Sequence, residues 1–184
     1  MKFYWDNVSF TDVAVDPPLN SYYNKDIYKV PLKILTPNPT SYGVLKGSTI
    51  HKYDNDDDIV AKSTELIGSN HNIVTCADPS NPSLVKQQNS IRFIMGCKGV
   101  YTINDDLLTV TGNHPMIVKR DGSWITDKKM NELIVGDNLY TINDTEIEIQ
   151  KIEFEGDTRN EVTRLEMDYN YFVNGVLMKG GSDG

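Results

Sequence analysis

The chain has 184 residues, 39% of them hydrophobic, and a formal charge of −8 from 26 acidic and 18 basic side chains. That length suits one domain plus a short appendage, large enough to bury roughly 70% of the surface its unfolded form would expose. The acidic balance repels phosphate backbones and argues against a nucleic-acid partner; no apolar run approaches the roughly 20 residues of a membrane span; and residues 1–6 lack the apolar core of a secretory signal, so the chain is expected to stay where it is made.

Residues 1–40 stand apart from the rest. Phe3, Tyr4, Trp5, Phe10, Tyr22, Tyr23 and Tyr28 crowd the first 28 positions, and Pro17-Pro18, Pro31, Pro37 and Pro39 rule out a long helix. The segment reads as the first strands of the core or as an arm that lays Tyr4, Trp5, Phe10, Tyr22 and Tyr23 into a neighbouring subunit, since tyrosine and tryptophan are enriched in interfaces.

From residue 43 onward the pattern is short strands separated by turn chemistry. Residues 44–50, 72–76, 91–95, 100–103, 107–111, 116–119, 138–142, 147–154, 162–167 and 171–178 are rich in β-branched and aromatic side chains. Asn104-Asp105-Asp106, Asp121-Gly122, Gly136-Asp137, Asn143-Asp144, Gly156-Asp157 and Asn174-Gly175 mark the reversals, and Asn174-Gly175 predicts a tight hairpin. One short helix is expected over residues 127–133, with Asp127 as its cap and Met130 and Leu133 on one face.

Two cysteines, Cys76 and Cys97, match no metal knuckle or redox pair and read as buried thiols. The run Asp54-Asn55-Asp56-Asp57-Asp58 has EF-hand spacing, with Asp54, Asp56, Asp58 and Glu65 as the ligand set. The position that should turn sharply is the β-branched Ile59, so a solvated acidic turn is the favoured reading. The histidines His51, His71 and His114 do not share a metal-binding spacing. Only His114 has an informative context, where residues 107–111 run as a strand into Gly112-Asn113-His114-Pro115. Thr111 suits the strand there and Asn113 suits the closing of the turn. No cofactor is expected.

Thr111-x-x-His114, then Glu132-Leu133-Ile134-Val135-Gly136-Asp137, then Asn170-Tyr171-Phe172-Val173-Asn174-Gly175-Val176-Leu177-Met178 stand in an order and at gaps similar to those of the Hint domains of hedgehog and intein proteins. The resemblance covers about residues 43–180. It implies an all-β, horseshoe-like fold of short strands with pseudo-twofold hairpins and with the domain's two ends close to the Thr-x-x-His strand. The division it suggests is an N-terminal segment 1–40, a Hint-like domain 41–180 and a flexible tail 181–184.

The chemistry of that family uses a nucleophile at the domain's first residue, with the histidine protonating the departing amide nitrogen and the threonine holding the twisted peptide. Here the first position falls on Gly43, which has no side chain, and recruiting Ser41 would shift the register by two. At the other end, the two histidines and the asparagine that inteins use align with Tyr169, Lys179 and Gly180, and Gly181 offers no acyl acceptor. Thr111, Asn113 and His114 are then vestiges, and Tyr169 is the expected partner of the His114 imidazole. With four residues after Gly180, little remains to be joined.

The resemblance therefore implies a non-catalytic structural or assembly protein, a component of a phage virion (tail, baseplate or neck) assembled in the host cytoplasm, whose partners are other protein subunits and which takes no small-molecule substrate. An autoprocessing domain that cuts near residues 40–43 is the alternative, and a small ion- or peptide-binding module centred on residues 54–65 is the third reading.

Overall fold

Asparagine and aspartate with positive φ interrupt the chain at Asp57, Asn104, Asp105, Asp106, Asp121, Asp144 and Asn174, and each interruption reverses a strand. The computed structural model describes residues 43–68, 71–88, 91–97, 99–156, 160–167 and 169–180. Among them are β1 (Val44–Leu45), β2 (Thr49–Tyr53), β3 (Ile59–Ser63), β4 (Asn72–Cys76), β5 (Leu84–Gln88), β6 (Ile91–Cys97), β7 (Val100–Ile103), β8 (Leu108–Thr111), β9 (Pro115–Arg120) and β10 (Ser123–Lys129). The strands β11 (Asn138–Tyr140), β12 (Glu146–Glu148), β13 (Ile152–Glu155), β14 (Asn160–Glu166), β15 (Asn170–Val173) and β16 (Val176–Met178) follow. No described helix is long and apolar enough to cross a membrane.

The strands form two curled, antiparallel sheets. One has the order β13-β7-β8-β1-β14-β6. The other runs β12-β11-β9-β16-β15-β2-β4-β5, with β10 added to β9 and β3 to β2. Val44, Ile50, Leu108, Met116, Tyr171 and Val173 belong to the main core, which draws on both sheets, and a second cluster around Phe172, Leu177 and Tyr140 covers the other face of the β15–β16 hairpin. Residues 171 and 173 thus go one way and 172 the other, so this hairpin is buried on both faces. Its sequence accordingly reads as a continuous apolar run rather than an alternation.

Two expected strands are each broken in two. The stretch 44–50 splits at Lys46-Gly47, where Gly47 has a φ of 92° and Ser48 N–H donates to Leu45 O at 3.1 Å. The stretch 147–154 splits at Ile149, where the chain leaves one sheet for the other; Ile149 is buried, and it exchanges backbone hydrogen bonds with Gly136 and Asp137. The expected helix at 127–133 is not formed. Asp127 and Lys128 lie in β10, and only a 3-10 turn, Met130–Glu132, remains. Pairing of β10 with β9 outweighs the helical spacing of Met130 and Leu133, whose apolar side chains are buried all the same. The strands β3, β5 and β10 were not expected. Each lies outside the doubly paired positions and is largely exposed, so neither alternation nor an apolar run marks it.

Candidate functional site

The centre of interest is where β1, β8 and β14 meet. Val44 pairs with Val110 on one side and Thr163 on the other. This brings Gly43 against the end of β8. Gly43 N–H donates to Thr111 Oγ1 at 3.1 Å, and Thr111 N–H returns a bond to Gly43 O at 3.1 Å. The two residues are 68 apart in sequence and both are buried, so the contact is a product of sheet pairing alone.

Gly43 has no spare room. A Cβ built on it would sit 3.0 Å from Thr163 O and 3.1 Å from Val162 Cγ2, tighter than packed side-chain contacts normally are. Gly180 is more confined still, since a Cβ there would overlap Tyr169 O and lie 3.1 Å from Met167 O. The two glycines lean on neighbouring parts of one stretch of chain, Gly43 on Val162–Thr163 and Gly180 on Met167 and Tyr169.

His114 is 1% exposed. Its backbone closes the turn after β8, with its N–H donating to Thr111 O at 3.0 Å and its carbonyl accepting from Met130 N–H at 3.0 Å; Asn131 N–H donates to Gly112 O beside it. The 3-10 turn therefore clamps the Thr-x-x-His segment from outside. The Asn113 side chain makes no hydrogen bond among the described residues, so backbone groups close the turn. Burial, and then the nearby Arg164 cation, push the His114 pKa down to about 3. The imidazole is neutral at pH 7.

Tyr169 is 49% exposed, and it is its backbone carbonyl that faces Gly180. Lys179 reaches Asp127 on β10, with 3.4 Å between Nζ and Oδ1. Thr163, beside Gly43, carries a buried hydroxyl with no hydrogen-bond partner among the described residues.

The acidic run is the turn of the β2–β3 hairpin. Asp54 Oδ1 accepts from Asp56 N–H at 2.9 Å and Asp58 N–H at 3.0 Å, Asp57 has a φ of 65°, and Lys86 pairs with Asp57. Glu65 lies past the opposite end of β3, about 16 Å along the strand from Asp58 by ordinary strand rise, where it accepts from Ser63 and from Thr64 Oγ1 at 3.1 Å. The four carboxylates are not gathered, and no group of three or more His, Cys, Asp or Glu among the described residues is placed to hold a metal ion. The proposed interface aromatics Tyr4, Trp5, Phe10, Tyr22 and Tyr23 lie outside the described residues, as do the rest of residues 1–40 and the tail 181–184.

Two residues that hold the site together escaped sequence reasoning about chemistry. Asn174 does more than turn the hairpin: its Oδ1 accepts from Thr49 N–H at 2.7 Å and Thr49 Oγ1 at 3.2 Å, and its Nδ2 donates to Leu107 O at 3.0 Å. It ties the start of β2 to the entry of β8. Asp137 is fully buried and takes Arg120 Nε and Nη2 at 2.6 and 2.7 Å plus Ile134 N–H at 3.0 Å. Burial raises its pKa, but the hydrogen bonds from Arg120 and Ile134 and the Arg120 charge more than offset this and leave the carboxyl below its usual range. The Gly136-Asp137 motif is thus a structural pin. Arg164 and Thr163 had no sequence signal at all.

With this geometry in view, comparison with known proteins identifies the architecture. No family model matches the sequence, and no curated protein matches it. Solved structures do. A bacterial intein-like domain from Clostridium thermocellum superposes with a TM-score of 0.61 at 17% identity, over 77% of this chain and 100% of that one. The DnaB intein of Synechocystis sp. PCC 6803 gives 0.58 at 17% identity, over 77% and 100%, and an intein from a hyperthermophile gives 0.58 at 14% identity, over 76% and 99%. The chain has the Hint, or intein-like, fold.

Proposed function

We propose that this chain is a non-catalytic assembly protein built on a degenerate Hint domain, serving as a component of a multi-subunit particle such as a phage tail, baseplate or neck. The observation that carries the non-catalytic part is the closure of backbone around Gly43 and Gly180. In an autoprocessing domain these two positions hold reactive side chains; here a Cβ at Gly180 would overlap the Tyr169 carbonyl, and one at Gly43 would press on Thr163 O and Val162. His114 adds to the case. With a pKa of about 3, about one imidazole in ten thousand carries a proton at pH 7, too few for a general acid serving a departing amide. The particle is inferred from the family resemblance of the sequence, and the aromatic segment 1–40 suits contact with other subunits.

Intact-mass measurement tests the reading. A single full-length species is expected, unchanged by prolonged incubation with thiol or hydroxylamine, whereas a fragment ending between residues 40 and 42 would overturn it. The self-cleaving alternative draws on one specific observation, the Gly43 N–H donated to Thr111 Oγ1 at the bond it would cut, and the same measurement decides between them.

A further inference from the structure

β13 ends the six-stranded sheet. It pairs with β7 from Ile152↔Ile103 to Glu155↔Val100 without a register shift, and no described strand pairs with its other edge. An open edge leaves alternate backbone N–H and C=O groups unpaired, and natural sheets protect such an edge with proline, a bulge, a covering loop, or a short strand carrying charges. The last is the case for the four-residue β13, with Glu153 and Glu155. β13 has neither proline nor bulge. In its middle stands Phe154, 61% exposed. The ring packs on Tyr101 of β7 at 4.8 Å and 42°, and glycines flank it: a Cβ at Gly156 would sit 3.0 Å from its Cε1 and one at Gly99 3.4 Å from its Cε2. Phe154 is therefore an exposed ring at the sheet margin, resting on Tyr101, which is half-buried and packs against the main core.

Alternation along the strand sets the chemistry of the two faces. Ile152 and Phe154 share one face, Glu153 and Glu155 the other. Glu153 is already shared with Lys151 at 3.0 Å, while Glu155 makes no ion pair among the described residues, nor does Glu148 at the end of β12. A second copy of this edge would set carboxylates against carboxylates, which disfavours edge-to-edge self-pairing. A strand of the opposite pattern satisfies every term: its backbone fills the open ladder, its basic side chains meet Glu153 and Glu155, and its apolar side chains cover Phe154 and Tyr101.

We propose that the outer edge of β13 is a docking site for an extended segment of a partner protein in which basic residues alternate with apolar or aromatic ones, added as a further strand beside Ile152–Glu155. This deepens the assembly reading by naming the chemistry of a partner, and its test is separate from the mass measurement. Self-cleavage would sink the non-catalytic reading without touching the edge, and failure of the edge would not revive cleavage.

The test titrates the full-length chain into a labelled peptide of about seven residues alternating arginine and valine, matched to ordinary strand length, and follows anisotropy at low and moderate salt. The expected result is saturable binding, slowed amide exchange in β13, and affinity lowered at least about tenfold by Phe154→Ser and by the double change Glu153→Gln with Glu155→Gln. A peptide of the same charge with alternate amides N-methylated cannot complete a ladder and should bind at least about tenfold more weakly. That comparison needs no variant, so a folding failure of Phe154→Ser leaves the test intact. No binding, or equal binding of the N-methylated peptide, overturns the proposal, the second result meaning charge attraction only.

Discussion

A single carbon added at Gly180 would overlap the Tyr169 carbonyl oxygen, an overlap that only movement of backbone can relieve. Gly180→Ala is therefore expected to cost about 1–3 kcal/mol, the range for overpacking a filled interior, read as a lower urea midpoint; an unchanged midpoint would show that the close approach is wrong. Asn174 makes the opposite case, because there the side chain matters and the backbone is already left-handed at a φ of 48°. Asn174→Gly keeps that backbone accessible while removing the hydrogen bonds to Thr49 and Leu107, for a loss of about 2–3 kcal/mol at roughly 1 kcal/mol each. His114 belongs to this scale too. Its native pKa of about 3 lies below its unfolded value near 6.5, so the unfolded chain binds the extra proton. The stability tied to this neutral imidazole is complete above about pH 6.5 and is lost as pH falls toward 3, by roughly 1.4 kcal/mol per pH unit. Proton NMR should show no His114 titration between pH 8 and 5, and a midpoint near 6.5 would contradict the burial.

Among elements, the loop from the 3-10 turn Met130–Glu132 to β11 is held by the Arg120–Asp137 pair. Because the Asp137 carboxyl is held below its ordinary range, its contribution is present above about pH 3.9, the unfolded value, and is lost as acid drives it through the lower folded value. Asp137→Asn leaves a guanidinium facing a neutral amide and should cost about 3 kcal/mol, toward the low end for breaking a buried pair because Arg120 is partly solvated. Urea midpoints at pH 7 and pH 3 check both the size and the direction: the gap between variant and parent should narrow at the lower pH. The thiols behave as elements of the sheet rather than as reagents. Cys76 on β4 and Cys97 on β6 are buried, and desolvation raises both pKa values, so neither should react with a disulfide reagent at pH 8 until the chain unfolds.

For the molecule as a whole, the strands form two curled sheets with the intein-like fold, and glycine stands at positions 43 and 180, lysine at 179 and tyrosine at 169. What could be read from the residues was whatever depends on near neighbours. Asn174-Gly175 makes its hairpin because both residues accept positive φ, Thr111-x-x-His114 makes its turn within four residues, and the alternating and apolar runs mark most of the strands that are paired on both sides. The helix expected at 127–133 failed because its spacing was a local preference that pairing of β10 with β9 overrode. The strands β3, β5 and β10 are exposed and were missed for want of a burial pattern, whereas the equally exposed edges β12 and β13 were marked by Ile147, Ile149, Ile152 and Phe154. Long-range placement belongs to the tertiary structure alone. Gly43 meets Thr111 across 68 residues, Asn174 reaches both Thr49 and Leu107, and Arg164 sets its charge near His114, none of which any spacing encodes. The sequence determined that no side chain stands at positions 43 and 180. Only the packing of β14 and the chain after it decided how little room each position has, because the room beside a glycine is set by what other strands bring there.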